Sequence, residues 1–115
     1  MLSLSVKDQV FLCIEPIDFR NQIGGLIKFT QYLIKQNPYN GAYFVFTNKN
    51  KTSIKILHYD GIGYWMHQKR LSKGKFKWPN DNDNTIKMEV HELQVLLMNG
   101  DYKKASFQDQ WLKVV

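Results

Sequence analysis

The chain has 115 residues and a mass of 13.6 kDa, enough for one domain with a single core and too little for two. Apolar residues make up 43 % and charged residues 23 %, so the chain can bury enough apolar surface to fold, and a wholly disordered protein is not expected. Sixteen basic against ten acidic residues give a net charge of +6, which favours a polyanionic partner such as nucleic acid or an anionic membrane.

The surplus of positive charge lies in the middle third of the chain. Residues 47–79 carry a balance of +7, whereas residues 1–46 carry +1 and residues 80–115 carry −2. The basic residues of this middle segment are Lys49, Lys51, Lys55, Lys69, Arg70, Lys73, Lys75 and Lys77. One basic segment therefore accounts for the whole surplus.

The first predicted elements are a strand and a helix. The apolar run at residues 10–14 predicts a short buried strand. Asp18 then stands at the N-cap position of a helix of four to five turns, because apolar residues recur at helical spacing over residues 19–34. Gly24 and Gly25 lower the helix propensity, which fits either close packing against a sheet or a later helix start.

An antiparallel β-meander is predicted next. Its first three strands cover residues 42–47, 52–59 and 64–69, and residues 60–63 form a hairpin turn between the last two. Residues 75–78 alternate basic and aromatic side chains, which predicts a fourth strand of the meander.

The polar run at residues 80–84 predicts a mobile loop, and residues 90–98 predict a short helix ended by a left-handed cap at Asn99-Gly100. Residues 102–115 are expected to form either a docked terminal helix or a tail. The predicted fold is thus a single α+β domain over residues 1–115, in which an antiparallel β-meander packs with one longer N-terminal helix and a short C-terminal helix.

The expected compartment is the cytoplasm. Cys13 is the only cysteine, so an intramolecular disulfide is impossible. The longest apolar runs have five residues, far below the roughly 20 that span a bilayer, and the first eight residues do not resemble a secretory signal.

The basic segment has the features of a nucleic-acid-binding surface. Lysines at alternate positions would line one side of an extended segment and follow a phosphate backbone. The rings of Tyr64 and Trp65 are candidates to stack on unpaired bases, and Gly74 would allow a backbone to approach closely. The alternative is that the aromatic rings belong to the core and the lysines to a solvated face. Arg70 is the one arginine of the segment, so weakly sequence-specific binding is expected.

A catalytic site has weaker support. Asp18, Asp60, Glu89 and Glu92 are candidate ligands for the divalent metal of a nuclease, but each also suits a turn or the first turn of a helix. The three histidines lack the spacing of a metal site, and Cys13 lies inside an apolar strand. We therefore expect no catalytic residues, no metal and no cofactor.

Several ordered blocks of the chain resemble the TnpB-type accessory protein encoded by the second reading frame of insertion-sequence-66 elements. The blocks lie at residues 12–20, 38–46, 55–65, 69–79 and 93–100, so the resemblance covers about residues 10–100. The motif residues of these blocks are Asp18, Arg20, Asp60, Gly63, Gly74, Trp78 and Pro79.

The resemblance implies a small bacterial protein that is encoded beside a separate transposase and assists transposition, with no catalytic residues assigned to it. The leading hypothesis is a non-catalytic accessory protein that binds DNA through a basic β-surface. One alternative is a subunit that binds the transposase itself through an aromatic face and the segment around Phe107 and Trp111. A metal-dependent nuclease is the other alternative.

Overall fold

Five strands form one mixed β-sheet in this computed structural model, which describes residues 3–100. The strands are β1 (Val10–Cys13), β2 (Tyr43–Thr47), β3 (Ser53–Tyr59), β4 (Tyr64–Arg70) and β5 (Thr85–Met88), and their order across the sheet is β4-β3-β2-β1-β5. β1 and β2 are parallel, and every other neighbouring pair is antiparallel. The single α+β domain and the β2-β3-β4 meander are therefore confirmed.

Each face of the sheet buries its own apolar cluster. Leu12, Val45 and Ile56 point to one face, which the C-terminal helix covers. Phe44 and Leu57 point to the other face, which the N-terminal helix covers. β2 is buried at every position, because it lies between two strands and beneath both layers.

The N-terminal helix begins later than Asp18 and is shorter than predicted. The α-helix α1 covers Ile23–Phe29 and continues into a π-helical turn, Thr30–Ile34. Asp18 does not cap it, because its carboxylate binds Arg20 instead. A Cβ on Gly25 would lie 2.5 Å from the side chain of Asn21, so this glycine makes room for Asn21 rather than for the sheet.

The predicted fourth strand of the meander is wrong. Residues 71–79 form an irregular connection in which the N–H of Phe76 donates to the carbonyl of Lys51 at 2.7 Å. The missing strand is β5, which pairs with β1 at the opposite edge of the sheet. Residues 75–78 keep a strand-like alternation because Phe76 is buried between exposed Lys75 and Lys77, although no strand pairs with them.

The second helix is confirmed as α2 (Val90–Leu97). Glu89 and Glu92 form a capping box at its start, and Asn99 has a left-handed φ of 61° just after its end. No helix within residues 3–100 is long and apolar enough to cross a bilayer. The predicted tail or docked helix at residues 102–115 lies outside the described residues.

Candidate nucleic-acid interface

The fold collects most of the basic segment at one end of the sheet, which we call the basic end. The β2–β3 turn (residues 48–52) and the connection after β4 (residues 71–79) meet there. Hydrogen bonds join the two segments, from the N–H of Leu71 to the carbonyl of Thr52 at 2.9 Å and from Phe76 to Lys51. The exposed or half-exposed cations of this end are Lys49, Lys51, Arg70, Lys73, Lys75 and Lys77.

Buried groups hold these lysines in place. Phe76 is only 3 % exposed, and the indole N–H of Trp78 lies 3.1 Å from the carbonyl of Ile14. Gly74 has a φ of 78°, which favours glycine. In the turn, the side-chain oxygen of Asn48 accepts the N–H of Thr52 at 2.9 Å. The predicted lysine row on one side of a strand is thus replaced by lysines on two anchored loops.

The end of the first family block, which reads Pro-x-Asp-x-Arg at residues 16–20, adds another cation beside the β2–β3 turn. The guanidinium of Arg20 contacts the Asp18 carboxylate at 2.6 Å, and the Arg20 side chain remains 92 % exposed. The hydrogen bonds from the Arg20 side chain lower the pKa of Asp18 to about 2. Asp18 also lines a small cavity of about 240 Å³ with Phe19 and Lys49. Sequence reasoning treated Arg20 only as a motif residue and missed its place among the cations.

Lys55 does not belong to the exposed surface, so its predicted phosphate contact is wrong. The side chain lies on the buried α1 face and is 2 % exposed. Its ammonium donates to the carbonyls of Phe19 at 2.9 Å and Asn21 at 2.8 Å, and it lies 4.8 Å from the centre of the Phe19 ring. Burial lowers the pKa of Lys55. Lys55 therefore attaches the loop that contains Phe19 and Asn21 to the sheet.

Lys69 is exposed but already has a contact within the fold. Its ammonium donates to the carbonyl of Leu97 at 2.6 Å, at the C-terminal end of α2. A cation at this position stabilises the free carbonyls of a helix end. Lys69 thus links the edge strand β4 to the helix above it.

Tyr64 and Trp65 lie at the opposite end of the sheet, which we call the aromatic end. The seven residues of β3 separate the two ends by about 20 Å. Tyr64 packs with Tyr39 and Tyr59 on the α1 side, with ring centres 5.6 Å and 5.0 Å away. Burial raises the pKa of Tyr64 to about 12. Of the two residues predicted to stack on bases, Trp65 is the more exposed, with 53 % of its surface open to solvent.

The carboxylates considered for a nuclease are not brought together. Asp18 lies at the basic end, whereas Asp60 lies in the β3–β4 hairpin, where its carboxylate accepts the N–H groups of Ile62 and Gly63. Glu89 and Glu92 cap α2. Within residues 3–100, no three histidine, cysteine, aspartate or glutamate side chains are placed to hold a metal ion.

Cys13 is a buried thiol at the end of β1. Desolvation raises its pKa to about 11, so the nucleophilic thiolate is disfavoured at neutral pH. Its sulfur lies 3.4 Å from the carbonyl of Glu15, to which the thiol donates. Phe107 and Trp111, considered for contact with a transposase, lie outside the described residues.

Comparison with known proteins supplies the context for this surface. The family model described as IS66 Orf2 like protein matches residues 8–106. The chain is similar to the uncharacterized protein y4hO of Sinorhizobium fredii, with 29 % identity over 96 % of this chain and 95 % of the relative. It is also similar to the uncharacterized protein y4jC of the same organism, with 28 % identity over 84 % of this chain and 82 % of the relative. No solved structure matches the chain significantly.

Proposed function

This chain belongs to the family of IS66 Orf2-like proteins, which has a transposition-associated accessory role, and we propose that it acts there as a non-catalytic protein that binds DNA through its basic end. The observation that supports the proposal is the gathering of six cations from the middle segment, with Arg20 beside them, at one end of the sheet.

The three lysines of the connection carry the argument for phosphate as the partner. Lys73, Lys75 and Lys77 are exposed, and none of them forms an ion pair with a carboxylate of residues 3–100. Each lysine that neutralises a phosphate releases condensed counterions, so the affinity for DNA falls with salt. The arginines nearby are Arg20 and Arg70, and Arg20 is engaged with Asp18, so little direct reading of bases is available.

Replacing these three lysines by glutamine tests the proposal. The affinity for a fluorescently labelled duplex of about 20 base pairs is measured by anisotropy from about 50 to 200 mM salt. We expect weaker binding and a slope of log K against log salt that is shallower by about 3, because three phosphate contacts are lost.

The matched control replaces three exposed lysines elsewhere, Lys7, Lys28 and Lys87, by glutamine, which changes the net charge equally. This control should keep the salt slope of the unmodified protein. No duplex binding by the unmodified protein at low salt, or equal losses in both triple variants, would contradict the proposal. Co-purification with the transposase in the absence of DNA, unchanged by the lysine variant, would support the protein-binding alternative instead.

A further inference from the structure

A small groove at the aromatic end is lined by rings from three strands. Tyr43, His58, Trp65 and His67 line it, with Asp60 and Ser3 at its margin, and its volume is about 230 Å³. The rings form two stacked pairs, Tyr43 with His58 at 4.0 Å between centres and Trp65 with His67 at 6.0 Å. This volume lies below the roughly 300–1,000 Å³ of pockets for drug-sized ligands, so the groove suits a single planar ring system.

The indole of Trp65 is both exposed and held in position. Its N–H donates to the carboxylate of Asp60 at 2.7 Å, and that carboxylate also accepts the N–H groups of Ile62 at 3.0 Å and Gly63 at 2.9 Å. His67 lies almost parallel to the indole, with 12° between the ring planes. A ring held in this way loses little conformational freedom when a ligand stacks on it.

The groove also offers polar atoms to a ligand. The ring of His67 forms no hydrogen bond within residues 3–100, and desolvation lowers its pKa, so the neutral ring can both donate and accept at pH 7. His58 uses only Nδ1, which lies 3.5 Å from the carbonyl of Ala42, and its Nε2 is left for a ligand. The hydroxyl of Tyr43 is already used, since it donates to the carbonyl of Ser3. Two imidazoles beside a stacking ring match the donors and acceptors of a nucleobase edge.

Cations continue from the groove along the same edge strand. Lys69 shares the sheet face of Trp65 and His67 and lies about 13 Å from Trp65 along β4, and Arg70 follows it at the basic end. We propose that the groove binds an unpaired base of single-stranded DNA, with the phosphates of the same strand running along β4 toward the basic end. This inference rests on the proposed function and names the form of DNA: a paired base inside a duplex cannot enter the groove, whereas an unpaired one can stack on Trp65.

The test compares a labelled single-stranded oligothymidine with a hairpin duplex. Replacing Trp65 by leucine should weaken single-strand binding about 10-fold, because one base loses the aromatic ring on which it stacks, and should leave duplex binding within about twofold. Trp65→Phe keeps a ring and should restore part of the lost affinity. The matched control is Tyr32→Leu, an exposed ring in the π-helical turn after α1, which should change neither affinity.

A second measurement separates the groove from the basic end. Thymidine 5′-monophosphate is titrated while the indole N–H resonance of Trp65 is followed by NMR, and we expect a saturable shift. Three results would each overturn the proposal that the groove binds a base. These are unchanged single-strand binding in Trp65→Leu, equal losses for single strand and duplex, and no shift of the indole resonance. Duplex binding that does not depend on Lys73, Lys75 and Lys77 would instead overturn the proposed function. The nucleotide titration would then test independently whether the groove binds a base.

Discussion

The two ends of the sheet use aromatic residues in opposite ways. At the basic end, Phe76 is 3 % exposed and Trp78 bonds to main-chain carbonyls, so both rings fasten a loop that carries charge. At the aromatic end, Trp65 is 53 % exposed, and a carboxylate holds its edge while its face stays open. The rings support the binding groups at one end and are candidate binding groups themselves at the other.

This difference shows how a basic surface can be built without regular secondary structure. Residues 71–79 belong to no strand, yet Phe76 and Pro79 are buried, and the lysines on either side of Phe76 lie on the outside. Phe76 therefore supports the proposed DNA surface by holding the lysines in place, and does not itself contact DNA. Trp65 has no comparable burial, so its contribution to stability should be small and its contribution to binding direct.

The largest expected effect tests the support at the basic end. Phe76→Ala should lower the free energy of unfolding by about 3–5 kcal/mol, because it removes a buried ring and leaves a cavity. Trp65→Ala, at the aromatic end, should cost about 1 kcal/mol or less, since half of that ring is already in water. Urea denaturation followed by circular dichroism measures both. Equal losses of unfolding free energy in the two variants would contradict the difference between a buried supporting ring at the basic end and an exposed ring at the aromatic end.

A smaller effect is expected at Lys55, the buried lysine of the middle segment. Lys55→Met should destabilise the protein by about 2 kcal/mol, because the carbonyls of Phe19 and Asn21 lose their shared donor. Lys75→Met, on the exposed connection, should change stability by less than about 0.5 kcal/mol. Duplex affinity measured on the folded proteins should show the reverse order. A stable Lys55→Met protein with weakened DNA binding would return Lys55 to the binding surface.

Much of the fold could be predicted from local pattern. β1, the β2-β3-β4 meander and α2 follow from apolar runs, turn residues and a capping box that are contiguous in the chain. The choice between residues 75–78 and β5 as the remaining strand could not be predicted, because both alternate polar and apolar side chains. β1 and β5 are far apart in the chain, so the local sequence does not show which segment pairs with the free edge of β1.

The candidate site was predictable in composition but not in placement. Lys51 and Lys55 share a parity and a residue type, yet one lies in a turn and the other is buried, because the carbonyls that bind Lys55 come from residues 34 and 36 positions earlier. The predicted start of α1 was wrong for a local reason, because Arg20 binds the Asp18 carboxylate that would have capped the helix. The support of Trp65 by Asp60 spans five residues and was within reach of sequence reasoning.

The smallest expected effect is an acid transition confined to the aromatic end. Hydrogen bonds from the N–H of Ile62, and then from the Trp65 indole, lower the pKa of Asp60. Because the folded pKa is depressed, this carboxylate stabilises the hairpin fully above its unfolded pKa of about 3.9, and the stabilisation is lost as the pH falls through the folded value. The indole N–H resonance of Trp65 should therefore move with acid below about pH 4.

Two asparagine variants assign this transition. Asp60→Asn should abolish it, because the amide carries no charge to titrate, although it keeps only one of the two oxygens that accept hydrogen bonds. Asp18→Asn removes a carboxylate at the basic end whose pKa is also lowered, and this variant should leave the Trp65 resonance unchanged. A transition that survives in Asp60→Asn would mean that another group controls the ring. The groove would then lack the fixed stacking platform on which single-strand binding depends.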